Sequence, residues 1–263
     1  MSRRKTGAMR SKEQDTRFTQ PKTENMKTFY MHESKTIDFS QAQREQKARP
    51  RKPVTLIPKS LNQEKYIMAL LNDETDVVVV SGPAGTGKTY LAMLAAIKAL
   101  RAGECEQIVL TRPAVTVEDE KHGFLPGDLN QKMEPWTRPL LDVLKEHYPV
   151  KEITQMLDEQ IIEISPLAFM RGRTFKRAWI IADEMQNATP NQMKMLLTRI
   201  GEGSKIVVTG DIEQTDKRSR DNGLMDLGDK LNSEAVKGIE LCKFDTRDIQ
   251  RHELIGRVLK MYS

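Results

Sequence analysis

Gly82 to Thr89 reads G-x-x-x-x-G-K-T, a set of residue types and spacings suited to wrapping a phosphate. Gly82, Gly85 and Gly87 let the backbone turn its N–H groups inward without Cβ clashes, with Pro83, Ala84 and Thr86 between them. Lys88 offers a point charge to β- and γ-phosphates, and Thr89 a hydroxyl to Mg²⁺. Further along, Asp183 and Glu184 stand together after an apolar run. Asp183 can hold Mg²⁺ through its water shell, and Glu184 can orient or deprotonate an attacking water. Two acidic residues after a strand are common. Downstream of a phosphate loop they complete what binding and hydrolysing a nucleoside triphosphate require. Gln214, shortly after Gly210-Asp211, can report the state of a γ-phosphate by hydrogen bonding.

These residues need elements to hold them. Val77 to Val80 are four β-branched residues in a row, a strand buried on both faces as in a parallel sheet. An apolar, alanine-rich helix is expected over Leu91 to Leu100, its N-terminus favouring the anion. Ahead of the strand, Leu61 to Leu71 has the pattern of an amphipathic helix with Ser60 as N-cap and Gln63 or Glu64 closing the box. Two roles are open to Gln63: ordinary capping, or pairing its amide donor and acceptor with the edge of adenine. Buried strands are also expected at Gln107–Thr111, Trp179–Ala182 and Lys205–Thr209, with a strand-like run from Gly238 to Phe244. A helix opened by Thr189-Pro190 runs to Arg199, and a last amphipathic helix carries Arg247, Arg251 and Arg257. The alternation predicts an α/β fold on a mainly parallel sheet, with ligand groups at the C-terminal strand ends.

Residues 118–178 break that alternation and are expected as an inserted segment. Trp136 and Arg138 suit stacking on single-stranded bases and contacting phosphates, and Trp136 equally suits the insertion's own core. Arg112, at the end of its strand, and Arg171 and Arg173 join them as candidate nucleic-acid contacts. The charge is uneven along the 263 residues. Residues 1–52 hold 14 Lys/Arg and 6 Asp/Glu, net +8, and the other 28 basic and 31 acidic residues leave 53–263 at −3. The leader is poor in apolar residues and is expected to be largely disordered, either a solvated tail or an arm for a polyanion. Two cysteines, Cys105 and Cys242, form neither a disulfide framework nor a metal spacing. No apolar run reaches membrane-spanning length, so a soluble, cytoplasmic protein with no membrane partner is expected.

With these motifs in place, residues 54–263 resemble the PhoH family of P-loop ATPases, relatives of the superfamily 1 helicase core. The resemblance rests on Leu61-Asn62-Gln63, Gly82–Thr89, Thr111-Arg112-Pro113, Gly123–Asp128, Met170–Thr174, Asp183–Asn187, Thr209-Gly210-Asp211 with Gln214, and Arg251-His252. It implies a single RecA-like core, ATP and Mg²⁺ as ligands, and Gln63 as the adenine reader. Met185 and Glu253 stand where the family commonly has Ala and Pro.

The resemblance and the motifs lead to an ATPase coupled to RNA or single-stranded DNA; the rival is a nucleotide-dependent switch or scaffold that moves no strand. A small-molecule kinase is disfavoured, because Asp183-Glu184 followed by Gln214 suits water activation. Superfamily 1 helicases use a second core to supply arginines to the γ-phosphate, and the stretch after Gln214 is too short for one. An arginine given in trans within a head-to-tail ring would serve instead. Arg251 is the candidate, Arg247 the second, and a surface salt bridge the plain alternative. The resemblance makes that ring a homohexamer.

Overall fold

The computed structural model describes residues 52–113, 138–214, 221–250 and 261. They all belong to the unit Pro50–Ser263. The expected leader apart from Lys52, the motif Gly123–Asp128, Trp136, Arg251, Glu253 and Arg257 lie outside the described residues.

The chain enters through helix α1 (Leu61–Leu71) and strand β1 (Val77–Ser81), followed by α2 (Lys88–Ala102) and β2 (Gln107–Thr111). After a helical stretch over 138–145 come α3 (Val150–Asp158), β3 (Ile162–Ile164) and β4 (Ala178–Ala182). Then come α4 (Pro190–Leu197), β5 (Lys205–Gly210), α5 (Gly223–Ser233) and β6 (Ile239–Lys243), the last of the strands among the described residues. The six strands stand in the order β3-β2-β4-β5-β1-β6, and every pairing is parallel.

Helices cover both faces, which is why the central strands are apolar throughout rather than alternating. All five residues of β1 and of β4 are buried. Val78 and Val80 face a core shared with α1, α2, α3 and the 138–145 helix, while Val77 and Val79 face one shared with α4 and α5. Met185 is fully buried in the second core, so the residue standing where the family commonly has Ala fills space beneath the carboxylates.

Two expectations change. Within the expected insertion, α3 and β3 belong to the fold itself, β3 extending the sheet beside β2. β3 has only three residues, too short for its alternation to stand out. Thr246–Asp248 is a 3₁₀ turn rather than helix, and Arg247 is exposed and paired with Asp245 at 2.6 Å. Among the described residues no helix is long and apolar enough to cross a membrane.

Candidate active site

The phosphate loop leaves β1 at its C-terminal end and runs into α2 with three glycines at positive φ: Gly82 at 148°, Gly85 at 82° and Gly87 at 84°. Gly87 also caps α2, so the free N–H groups of the first helical turn border the loop. Thr86 is fully buried and donates its hydroxyl to the Pro83 carbonyl at 2.9 Å, closing the loop on itself. The Lys88 ammonium lies back along the loop, donating to the carbonyls of Gly82 at 2.6 Å and Pro83 at 2.8 Å.

Helix α1 supports the loop from behind. Ser60 caps α1 by accepting from the Gln63 N–H at 3.2 Å, but the Gln63 side chain does not close a box on Ser60. Its Oε1 accepts from the Lys59 N–H at 2.7 Å and its Nε2 donates to the Thr86 carbonyl at 2.9 Å. One turn on, the Tyr66 hydroxyl donates to the Lys88 carbonyl at 3.1 Å. Complete burial pushes the Tyr66 phenol well above its ordinary range, so this hydroxyl stays a donor.

The carboxylates come from the end of β4. The Thr89 hydroxyl donates to Asp183 Oδ1 at 2.8 Å, and the Thr209 hydroxyl at the end of β5 donates to the same oxygen at 2.5 Å. Glu184 follows in the left-handed region, φ 55° and ψ 37°, a conformation that costs a non-glycine residue energy and turns its side chain off the line of the strand. Gln186 holds it there. This residue is 1% exposed, donates from Nε2 to Glu184 Oε2 at 2.5 Å, and accepts at Oε1 from the Asp211 N–H at 3.1 Å. Gly210 is required alongside, because a Cβ there would fall 2.6 Å from that same Oε1. Sequence alone assigns no role to Gln186 or Thr209. A glutamine past a strand and a threonine within one carry no local pattern, and only pairing across the sheet reveals their partners.

Lys88, Thr89, Asp183, Glu184, Gly210 and Gln214 line one cleft of about 260 Å³. Larger hollows exist, about 690 Å³ beside β6 and about 360 Å³ at the opposite end of the sheet. Neither contains these groups, and chemistry rather than size identifies the site. Among the described residues no group of three or more His, Cys, Asp or Glu could hold a metal. The Thr89 hydroxyl and the Asp183 carboxylate, hydrogen-bonded to each other in the cleft, are hard oxygens that could serve Mg²⁺, an ion that completes its shell with phosphates and water.

The arginines singled out as nucleic-acid contacts sit on separate elements. Arg112 follows β2 half-buried, Arg138 is exposed at the start of the 138–145 helix, and Arg171 is exposed after a 3₁₀ turn. Arg173 is engaged within the fold. Its guanidinium meets both carboxylate oxygens of Glu163, one at 2.7 Å, and stacks on Phe175 with 4.4 Å to the ring centre.

An all-parallel sheet with a phosphate loop after one strand, and Asp-Glu after another one strand away, defines a P-loop NTPase core of the RecA-like kind. The chain belongs to the PhoH-like protein family, whose model matches residues 55–263. It is 44% identical over 215 residues to a PhoH-like protein of Synechocystis, covering 82% of this chain and 64% of that one. It is equally identical over 205 residues to one of Bacillus subtilis, covering 78% and 63%. Against Protein PhoH of Escherichia coli K12 it is 39% identical, covering 76% and 56%. The chain thus spans about three fifths of the length of the curated relatives it matches. Among solved structures, the Pyrococcus furiosus Hef helicase domain gives a TM-score of 0.42 at 14% identity, covering 73% of this chain and 39% of that one. Pif1 helicase from Candida albicans gives 0.36 at 16%, covering 78% and 44%. These likenesses are too distant to bear on activity.

Proposed function

We propose that this chain binds Mg-ATP and hydrolyses it, with turnover coupled to RNA or single-stranded DNA. The observation that carries the reading is the Thr89–Asp183 hydrogen bond at 2.8 Å, with Glu184 in the same cleft. It brings the hydroxyl that ends the phosphate loop to the carboxylate that begins the second motif. Mg²⁺, when bound between them, would draw charge from the phosphates. Lys88 exchanges the carbonyls of Gly82 and Pro83 for phosphate oxygens, a stronger, charge-assisted contact. Glu184, aimed by Gln186, takes or orients the proton of the attacking water, and Gln214 senses the γ-phosphate. Gln63 uses one donor and one acceptor within the protein. An amide has two donor hydrogens and two acceptor sites, so one of each stays open, and with Gln63 3% exposed, reading adenine requires the base to pack directly on it.

The strand-coupled half of the reading rests on Arg112, Arg138, Arg171 and Trp136, and on the net +8 of residues 1–52. By resemblance to the family the working form is a homohexameric ring in which Arg251 reaches the neighbour's nucleotide. The test is the ATPase rate with and without defined RNA and single-stranded DNA over a range of salt. Stimulation that fades as salt rises supports the reading. Turnover indifferent to any strand would point to the switch, and failure to bind Mg-ATP would overturn the whole proposal.

A further inference from the structure

The segment 244–250, just past β6, crosses the phosphate loop. The Phe244 N–H donates to the Ser81 carbonyl at 2.8 Å, at the point where the chain enters the loop. A Cβ on Gly82 would fall 2.6 Å from the Phe244 carbonyl oxygen and 2.7 Å from its Cβ, so only glycine fits beneath this crossing. Farther along, the Gln250 N–H donates to the Gly85 carbonyl at 2.9 Å. Between the two crossings lies Asp248, 2% exposed. Its Oδ2 accepts from Asn62 Nδ2 at 2.9 Å and from the Asp245 N–H at 2.7 Å. Tyr66, one turn after Asn62 on α1, meets the Phe244 ring edge-on at 5.6 Å.

A buried carboxylate is costly unless hydrogen-bonded, so this one binds the segment to α1. The Gly85 contact matters because a peptide unit is planar, with its C=O and N–H pointing opposite ways. The unit that carries the Gly85 carbonyl also carries the Thr86 N–H. Holding the carbonyl outward on Gln250 keeps that N–H inward, toward the phosphates. Glycine on one side of the unit makes the opposite orientation easy to reach, so something must hold it.

We propose that Asp248 is a positioning residue of the nucleotide site: it keeps 244–250 seated on α1 so that Gln250 fixes the Gly85–Thr86 peptide for phosphate. The inference rests on the ATP-binding reading above, and two readouts separate them. The first is amide hydrogen exchange over the loop in the full-length protein without nucleotide, which reports local opening. The second is KM for Mg-ATP against kcat. Asp248→Ala should speed exchange over 82–88 and raise KM about tenfold, the size of a hydrogen bond to a charged group, with kcat within about threefold. Asp248→Asn keeps an acceptor oxygen for the Asn62 amide and the Asp245 N–H, and its new N–H can donate to the Ser60 hydroxyl that also bonds this side chain, so it should behave as wild type. Gln250→Pro removes that N–H together with the long side-chain contact from Gln250 Nε2 to the Asp248 carbonyl at 3.4 Å, which Gln250→Ala removes alone as the control; Ile249 at φ −65° and ψ 119° already has the extended backbone favoured before proline. Gln250→Pro should match Asp248→Ala even if that variant folds poorly. Unchanged exchange and KM in Gln250→Pro would overturn the proposal, as would a fall in kcat at constant KM, or Asp248→Asn behaving like Asp248→Ala. A wild-type protein that bound no ATP would sink the hydrolase reading, while loop exchange still decided whether the segment holds the loop.

Discussion

The nucleotide cleft and the arginines of the β2–β3 side can both be picked out from sequence, and the structure treats them differently. In the cleft, residues from the start of α2 and from the ends of β4 and β5 meet: Thr89 and Thr209 share one oxygen of Asp183, and Gln186 joins Glu184 to Asp211. On the other side the arginines come from separate elements, and Arg173 belongs to an ion pair with Glu163. The lesson concerns what a sequence pattern encodes. A phosphate and its metal impose fixed geometry, so the residues serving them have fixed spacing. A polyanion takes positive charge from many directions, so an arginine chosen for its charge serves equally well inside the fold.

The cleft itself is one-sided: among its described lining residues Lys88 is the basic one. If a neighbour completes it, Arg251→Ala should bind ATP normally yet lose about 10³-fold or more in turnover, the scale set by arginines supplied in trans. Mixing it with Lys88→Ala subunits should restore part of the rate, because some interfaces then pair an intact loop with an intact arginine. A monomer hydrolysing ATP at full rate in high dilution would break this. Next in size, Glu184→Gln should keep nucleotide affinity and lower kcat by about 10²–10⁴-fold. Equilibrium binding alongside turnover measures both, and wild-type hydrolysis would remove Glu184 from its role.

The arginine side is sharpened by a paired experiment. Arg173→Ala strips the guanidinium from Glu163, which keeps the Gln107 amide at 3.1 Å, and from the face of Phe175, and should cost about 1 kcal/mol in denaturant unfolding. Arg171→Ala should leave stability within about 0.5 kcal/mol, and make the salt dependence of single-strand binding shallower by about 0.7 in log–log slope. If the two arginines exchanged these effects, the division drawn between them would fail. Smallest is the pH effect at Glu163, whose carboxyl is held below its usual range chiefly by hydrogen bonds from the Arg173 guanidinium. A depressed folded value means the pair stabilises above the ordinary glutamate range and loses that contribution as pH falls through the lowered value. Glu163→Gln should therefore cost about 1 kcal/mol or less at neutral pH, and the gap in Tm from wild type should close in acid. A gap undiminished at low pH would contradict it.

Local conformation is the part legible in the sequence. Leu61–Leu71 forms a helix over the expected span, and the valine, isoleucine and alanine runs of β1, β4 and β5 form the expected strands. The helix expected after Thr189-Pro190 forms over Pro190–Leu197, with the Thr189 hydroxyl accepting from the Gln192 N–H at 3.2 Å. Partnership between distant segments is not legible. Gln63 carries the capping pattern, but its amide bridges Lys59 and Thr86, because the loop lies close enough to compete. Thr209 reads as one more β-branched strand residue until β5 is placed between β4 and β1, which brings its hydroxyl to Asp183. Asp248 reads locally as the closing residue of a capping box with Asp245, and Gln250 has no local signature. Their meaning comes from lying over a loop far earlier in the chain.

The crossing of Phe244 over Gly82 bears on how this fold could be engineered. Residues 77–102 look like a transplantable cassette of strand, loop and helix. Moved to another scaffold, they would leave behind the backbone that packs on Gly82 and the N–H that holds Gly85. A fragment ending before β6 would suffer similarly, with β1 turned into an exposed edge and the loop uncovered. The smallest portable unit of this phosphate loop is therefore discontinuous: residues 61–102 together with the segment 244–250.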